Sequence, residues 1–300
     1  MGVMDSPSQS LGKAFSRRAF AKGLGVASVG IAAANLISCG AVSTKAVAQG
    51  TSTTDTVAQI FTAALIAEDL ATTMYYNALV GGVIQDPNLA GPGGTATLIT
   101  TGSAANVGYL RGALAEEIAH ANLLRSLLGG SAASGDPVQT FYFPSGTFDN
   151  LNNFFPILIA LETAFIAAYM TAAQELGLMA ANIAPYSSAQ VDASGNPLSP
   201  TQLIGYAKVA ASILGVEAEH RALARAIPAG PIGGVAVIPA DNLIYESTDG
   251  LTTVYNGSKS AAAALAPFLS AGSNTASFSL ATSLSGSAAV VLPVSGNPPM

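Results

Sequence analysis

Beyond residue 50, apolar residues recur in steps of three and four over four long stretches, the period of helices that bury one face. The first stretch covers about 55–80, with Thr53, Thr54 and Asp55 as candidate N-caps and Gly81-Gly82 as its stop. The second covers about 104–128 and stops at Gly129-Gly130. The third, about 151–179, contains Pro156, which is expected in the first helical turn, where a missing N–H breaks no bond. The fourth, about 199–227, has Pro200 near its start and Pro228 at its end. Linkers at 81–103, 129–150 and 180–198 are rich in Gly, Pro, Ser and Asn and long for a helical bundle. The middle linker carries Phe141-Tyr142-Phe143-Pro144, expected to run extended and pack on the helices. Its length suffices to cross a bundle end to end at about 3.3 Å per residue.

From residue 228 onward the periodicity fades. A short helix is expected at 258–270, and the Ser/Ala/Gly-rich stretch from 271 is expected to be weakly ordered. The pattern therefore divides the chain into an N-terminal segment, 1–48, a four-helix bundle, 49–227, and a mostly irregular C-terminal extension, 228–300. The fold class expected is all-α.

Composition narrows the chemistry. Charged residues make up 9% of the chain and apolar residues 50%, so a large core is affordable but a charge-driven disordered chain is excluded. A single Cys excludes an intrachain disulfide framework and a cysteine-ligated cluster. The net charge of −6 is unevenly spread, with +4 on residues 1–48 and −10 on the rest, which leaves no basic patch for nucleic acid.

The basic end has its own pattern. Ser16-Arg17-Arg18-Ala19-Phe20-Ala21-Lys22 precedes a modest apolar run to Ser38, and Ala46-Val47-Ala48 forms a small-x-small cleavage site. The paired arginines followed by Phe and Lys resemble a twin-arginine signal, which implies export of a folded protein. Cleavage after Ala48 yields a soluble periplasmic or secreted protein. Leu36-Ile37-Ser38-Cys39 also resembles a lipobox, so membrane attachment is expected only if Cys39 is lipidated.

The helical seams bring the chemistry in. They run Phe61, Leu65, Glu68, Thr72, Tyr75, Leu79; Leu110, Leu114, Glu117, His120, Leu124, Leu127; Leu158, Glu162, Phe165, Tyr169, Ala172; and Tyr206, Ala210, Ile213, Glu217, His220, Ala224, Ile227. Each seam places a glutamate where an apolar residue belongs. A buried carboxylate is costly unless it is paired, hydrogen-bonded or bound to metal, and no Lys or Arg interrupts these seams. Phe154–Ala173 is apolar enough for a membrane span, but Glu162 at its centre favours a core helix. Both histidines of the chain fall in Glu-x-x-His, as Glu117…His120 and Glu217…His220, a spacing that projects both side chains from one helix face. The two motifs are one hundred residues apart, with Arg125 and Arg225 at the same offset after each. Glu68 and Glu162 each precede one motif and have a tyrosine seven residues on, which makes a two-fold internal repeat.

One Glu from each of two helices plus Glu-x-x-His from each of two others is the ligand pattern of ferritin-like di-iron and di-manganese carboxylate proteins. Over about 55–227 this sequence resembles that superfamily, and more narrowly the exported bacterial ferritin-like proteins related to desiccation-related proteins. The resemblance implies an antiparallel pair of helices, a long crossover at 129–150 and a second antiparallel pair. It implies Glu68 and Glu162 as terminal ligands, Glu117 and Glu217 as bridges, and His120 and His220 as one-nitrogen donors. It also implies two divalent ions, Fe or Mn best suited to carboxylate and imidazole, with Zn compatible. The partner would be O₂, H₂O₂ or Fe²⁺. The long linkers and the extension argue against a storage cage, while smaller oligomers are compatible. Which residues beyond the ligands would be catalytic is not indicated.

Neighbouring polar residues are expected to matter less. Asp69, Glu116 and Glu219 sit about 100° from the ligands and are expected on solvated faces. Tyr75, Tyr169 and Tyr206 are expected as core aromatics, with hydrogen bonding to the site or redox activity as alternatives. Arg125 and Arg225 either neutralise a carboxylate or favour helix C-termini. Two function classes follow: a dimetal oxidoreductase of oxidase, peroxidase, catalase or ferroxidase type, or a non-catalytic protein of stress or desiccation protection.

Overall fold

The computed structural model describes residues 55–81, 105–149, 151–184, 186–226 and 265–291. The twin-arginine segment, Cys39, the linker 81–103 beyond its first residue, Ile227 and most of the helix expected at 258–270 lie outside the described residues. Four long helices form as the apolar periodicity predicts: α1 (Val57–Val80), α2 (Ala105–Leu127), α3 (Leu151–Ala180) and α4 (Pro200–Ala226).

Their ends follow local chemistry. Thr56, one residue past the candidates expected, caps α1 in a reciprocal box. Its hydroxyl accepts from the Gln59 backbone N–H, and the Gln59 side chain accepts from the Thr56 N–H. Ser199 and Gln202 build the same box at α4, with Pro200 at its first helical position. Helix α2 stops because Gly129 turns left-handed at φ 76°, so that the Gly130 N–H reaches the Arg125 carbonyl. Asn182, at φ 52°, ends α3 in the same way, with the Ile183 N–H on the Leu178 carbonyl. Pro156 is a correction. It lies in the second turn of α3, inside the helix, on an exposed position where water can reach the carbonyl it leaves unbonded.

Two apolar clusters fix the direction of the helices. One joins Tyr75 and Leu79 of α1, Leu110 and Leu114 of α2, Phe154 and Leu158 of α3, and Ala224 of α4. The other joins Phe61 and Leu65 of α1, Leu124 of α2, Leu176 of α3, and Leu203 and Ile213 of α4. The end of α1 therefore meets the starts of α2 and α3 and the end of α4. This makes α1/α2 and α3/α4 antiparallel pairs joined by a long crossover between parallel α2 and α3. Both α1 and α3 are long and apolar enough to cross a membrane by composition alone, yet each turns its glutamate into the bundle.

The crossover and the extension meet. Strand β1 (Thr140–Pro144) runs extended as expected and buries Phe141 and Phe143. Its partner is β2 (Thr275–Ser279), antiparallel, with Tyr142 opposite Ser277. Helix α5 (Leu280–Ser287) follows directly and packs on α1, where Asn77 donates to Ser283. Gly286 lies against the Tyr76 ring, which a Cβ at this position would displace. Arg111 of α2 then donates to the Val290 carbonyl at 2.6 Å. The described part of the extension is thus a strand and a helix, contrary to the weak order expected. Phe143, Phe148 and Phe278 stack edge to face around the junction, and Phe268 packs tilted against Phe143. The part of the 258–270 stretch that is described forms a single 3-10 turn, Ala266–Phe268.

Candidate metal centre

Between the two apolar clusters the six predicted residues converge. Glu68 comes from α1, Glu117 and His120 from α2, Glu162 from α3, Glu217 and His220 from α4. Donor atoms of Glu68, Glu117, His120 and Glu217 all lie within 4.8 Å of one another, and so do those of Glu117, Glu162, Glu217 and His220. The two groups share Glu117 and Glu217. All four carboxylates are buried. In both histidines Nδ1 faces the cluster: His120 Nδ1 lies 3.2 Å from Glu68 and 3.5 Å from Glu217, and His220 Nδ1 lies 3.0 Å from Glu117 and 3.6 Å from Glu217.

The tyrosines at +7 cross over between the repeats. Tyr75 of α1 donates to Glu162 of α3 at 2.6 Å, while Tyr169 of α3 donates to Glu68 of α1. Each terminal carboxylate is held by the tyrosine of the opposite repeat, so the hydrogen-bonding alternative for these two residues is the one observed. Tyr206 instead packs edge-on against Phe61, away from the carboxylates. Tyr109, one position off its seam, donates to the His220 carbonyl at 2.6 Å and lies 3.4 Å from the Tyr75 hydroxyl.

Electrostatics show what this cluster lacks. Burial, then the charge of Glu217, pushes the Glu68 and Glu162 carboxyls well above the usual range. Burial also works on Glu117, but the two histidines outweigh it and hold that carboxyl low. Burial lowers the histidines; the surrounding carboxylates reverse this, raising His220 and pushing His120 up to about 12. Protons on imidazole thus serve as the counter-charges. Even so, both oxygens of Glu117 and of Glu217, Glu162 Oε2 and His220 Nδ1 are buried without a hydrogen bond. Buried polar atoms are seldom left this way, and here they point at one another. Four carboxylates and two imidazoles fit two divalent ions in charge and in donor type.

One of the three residues expected on solvated faces is not solvated. Asp69 is fully buried, because the crossover covers the outer face of α1 and α2. Arg125 donates to Asp136 of the crossover at 2.6 Å and to Asp69 at 3.4 Å. Arg125 therefore neutralises carboxylates, the first of its two expected roles. Glu116 keeps its side chain 42% exposed, as expected, while it accepts from His220 Nε2 at 2.8 Å. Glu219 is exposed, as expected.

Burial, then the charge of Asp136, lifts Asp69 to about 8. A carboxyl raised in the folded state favours folding below its unfolded value and loses that contribution as pH rises through the folded one. Asp69→Asn is therefore expected to flatten the fall in the unfolding midpoint of metal-free protein between about pH 4 and about pH 8. An unchanged slope in a pH series of thermal melts would contradict this.

Residues 56–193 match the family model for a ferritin-like domain. The bundle is ferritin-like. The match spans α1 to α3 and ends before α4, so Glu217 and His220 join the ferritin-like set through the structure alone. No curated protein and no solved structure gave a match to the chain.

Proposed function

We propose that this ferritin-like bundle binds two divalent ions, iron or manganese, and reacts with O₂, peroxide or Fe²⁺ after export of the chain through its twin-arginine segment. The supporting observation is the pair of four-residue donor groups sharing Glu117 and Glu217. In this reading Glu68 and His120 would hold one ion and Glu162 and His220 the other, with Glu117 and Glu217 available to both. Bound ions supply the electrons and the open positions for a small oxidant. The chain supplies the rest. Tyr75 and Tyr169 fix the terminal carboxylates, and Leu65, Leu114, Leu158 and Ile213 close the ends of the site against water.

Elemental analysis of protein from its native host tests the reading. About two Fe or Mn per chain is expected, and fewer than one after anaerobic loading overturns it. Loaded protein that consumes H₂O₂ or oxidises Fe²⁺ supports an enzyme, and inert loaded protein supports the protective class instead. Intact mass of the exported protein separates a start at Gln49 from a lipidated Cys39.

Metal uptake should also move protons. His120 and His220 hold protons that each must lose before its Nδ1 can donate. Binding at neutral pH is expected to release protons, from the raised Glu68 and Glu162 carboxyls as well as from the histidines, and to tighten from about pH 6 to about pH 8. Calorimetry in buffers of different ionisation enthalpy measures this, and binding without proton release would contradict it.

A further inference from the structure

The two halves of the site repeat at an offset of one hundred residues between α2 and α4, but the repeat is broken beside the histidines. Glu117 and His120 correspond to Glu217 and His220, whereas Glu116 corresponds to Val216 and Tyr109 to Val209. Both polar residues of α2 act on His220. Glu116 takes the Nε2 proton at 2.8 Å, and Tyr109 donates to the His220 carbonyl and sets its ring edge-on to the imidazole at 6.2 Å. Tyr75 adds a second edge contact at 5.7 Å. His220 is 1% exposed. On the other side the valines offer no acceptor, His120 Nε2 has no hydrogen-bond partner among the described residues, and its side chain is 13% exposed.

We infer that the two metal positions are unequal. The His220 position is the tight one, made so by Glu116 as a positioning residue, and the His120 position is the weaker, exchangeable one nearer solvent. The inference rests on the dimetal reading. A carboxylate on the far nitrogen of a ligating histidine fixes its tautomer, turns the other lone pair to the ion and raises its basicity. Such partners change metal affinity by about 10–100-fold. Four carboxylates and two tyrosine bonds are matched between the halves; the Glu116 and Tyr109 contacts to His220 are not, and neither is buried Arg221, whose charge reaches Glu162 and whose counterpart is Ala121.

Titration of metal-free protein with Co²⁺, followed by visible absorbance and calorimetry, tests it. Two steps of one ion each are expected, about 10-fold or more apart. Glu116→Val, which copies the opposite half, is expected to weaken the tight step and bring the two steps together. Glu116→Gln, which keeps an acceptor without the charge, should fall between. Two ions taken up in one unresolved step, or a Glu116→Val variant that weakens both steps alike, would overturn the inference and leave the dimetal reading standing. Uptake of less than one ion per chain would overturn both.

Discussion

Replacing Glu117 and Glu217 together by leucine is expected to remove both ions while making the metal-free protein more stable. Each four-residue donor group contains both glutamates, so the double substitution leaves either group with one carboxylate and one imidazole. That is too few donors to hold a carboxylate-type ion against water. Stability should move the other way. All four oxygens lost are buried without a hydrogen bond, and leucine fills most of the space they occupy. Exchanging such buried charges for apolar groups of similar volume is worth about 1–4 kcal/mol. A general folding defect would lower both quantities. Metal content unchanged by elemental analysis would refute the bridging assignment, and a lower melting temperature of the metal-free variant would refute the electrostatic account.

Arg125→Met is the second large effect. The guanidinium makes three contacts to Asp136, at 2.6, 2.9 and 3.0 Å, and a longer one to Asp69. Asp69, Asp136 and Arg125 are all buried. Removing the cation leaves Asp136 charged and enclosed, and breaking such a pair costs about 3 kcal/mol or more. The damage should be concentrated in the crossover, because Asp136 is its anchor to α1 and α2. Adding Asp69→Asn and Asp136→Asn to the variant should recover much of the loss. Denaturant unfolding of the single and triple variants measures both, and a single variant within about 0.5 kcal/mol of the parent would show that the pair contributes nothing.

Much of this arrangement was legible in the chain. The stop of α2 and the start of α4 were visible because Gly129 and Pro200 act through backbone geometry, which neighbours seldom override. The six donor residues were visible because a glutamate in an apolar seam has few explanations, and a repeat removes most of those. Strand β2 and α5 were not visible. Their residues are small and weakly polar, with Phe278 the one aromatic among them, and they gain structure only from the Phe-rich strand they meet. Asp69 was misplaced for a related reason. An angle of 100° from the seam reaches solvent on an isolated bundle, and does so at Glu116 and Glu219, but the crossover covers Asp69. The cue that existed was Arg125, eight residues after Glu117 with Asp136 eleven further on, a separation that becomes informative only once the path of the crossover is known.

The pairing of β1 with β2 also sets an order of events during synthesis. All four helices leave the ribosome before Thr275 does, and their antiparallel contacts are short in sequence and quick to form. The clasp over the crossover joins Thr140 to Ser279, so it closes a long loop and forms late. Until β2 arrives, the Phe141 and Phe143 face lies uncovered and is the surface a chaperone would find. A nascent chain arrested before residue 275 should therefore bind hydrophobic-surface probes that the completed chain does not.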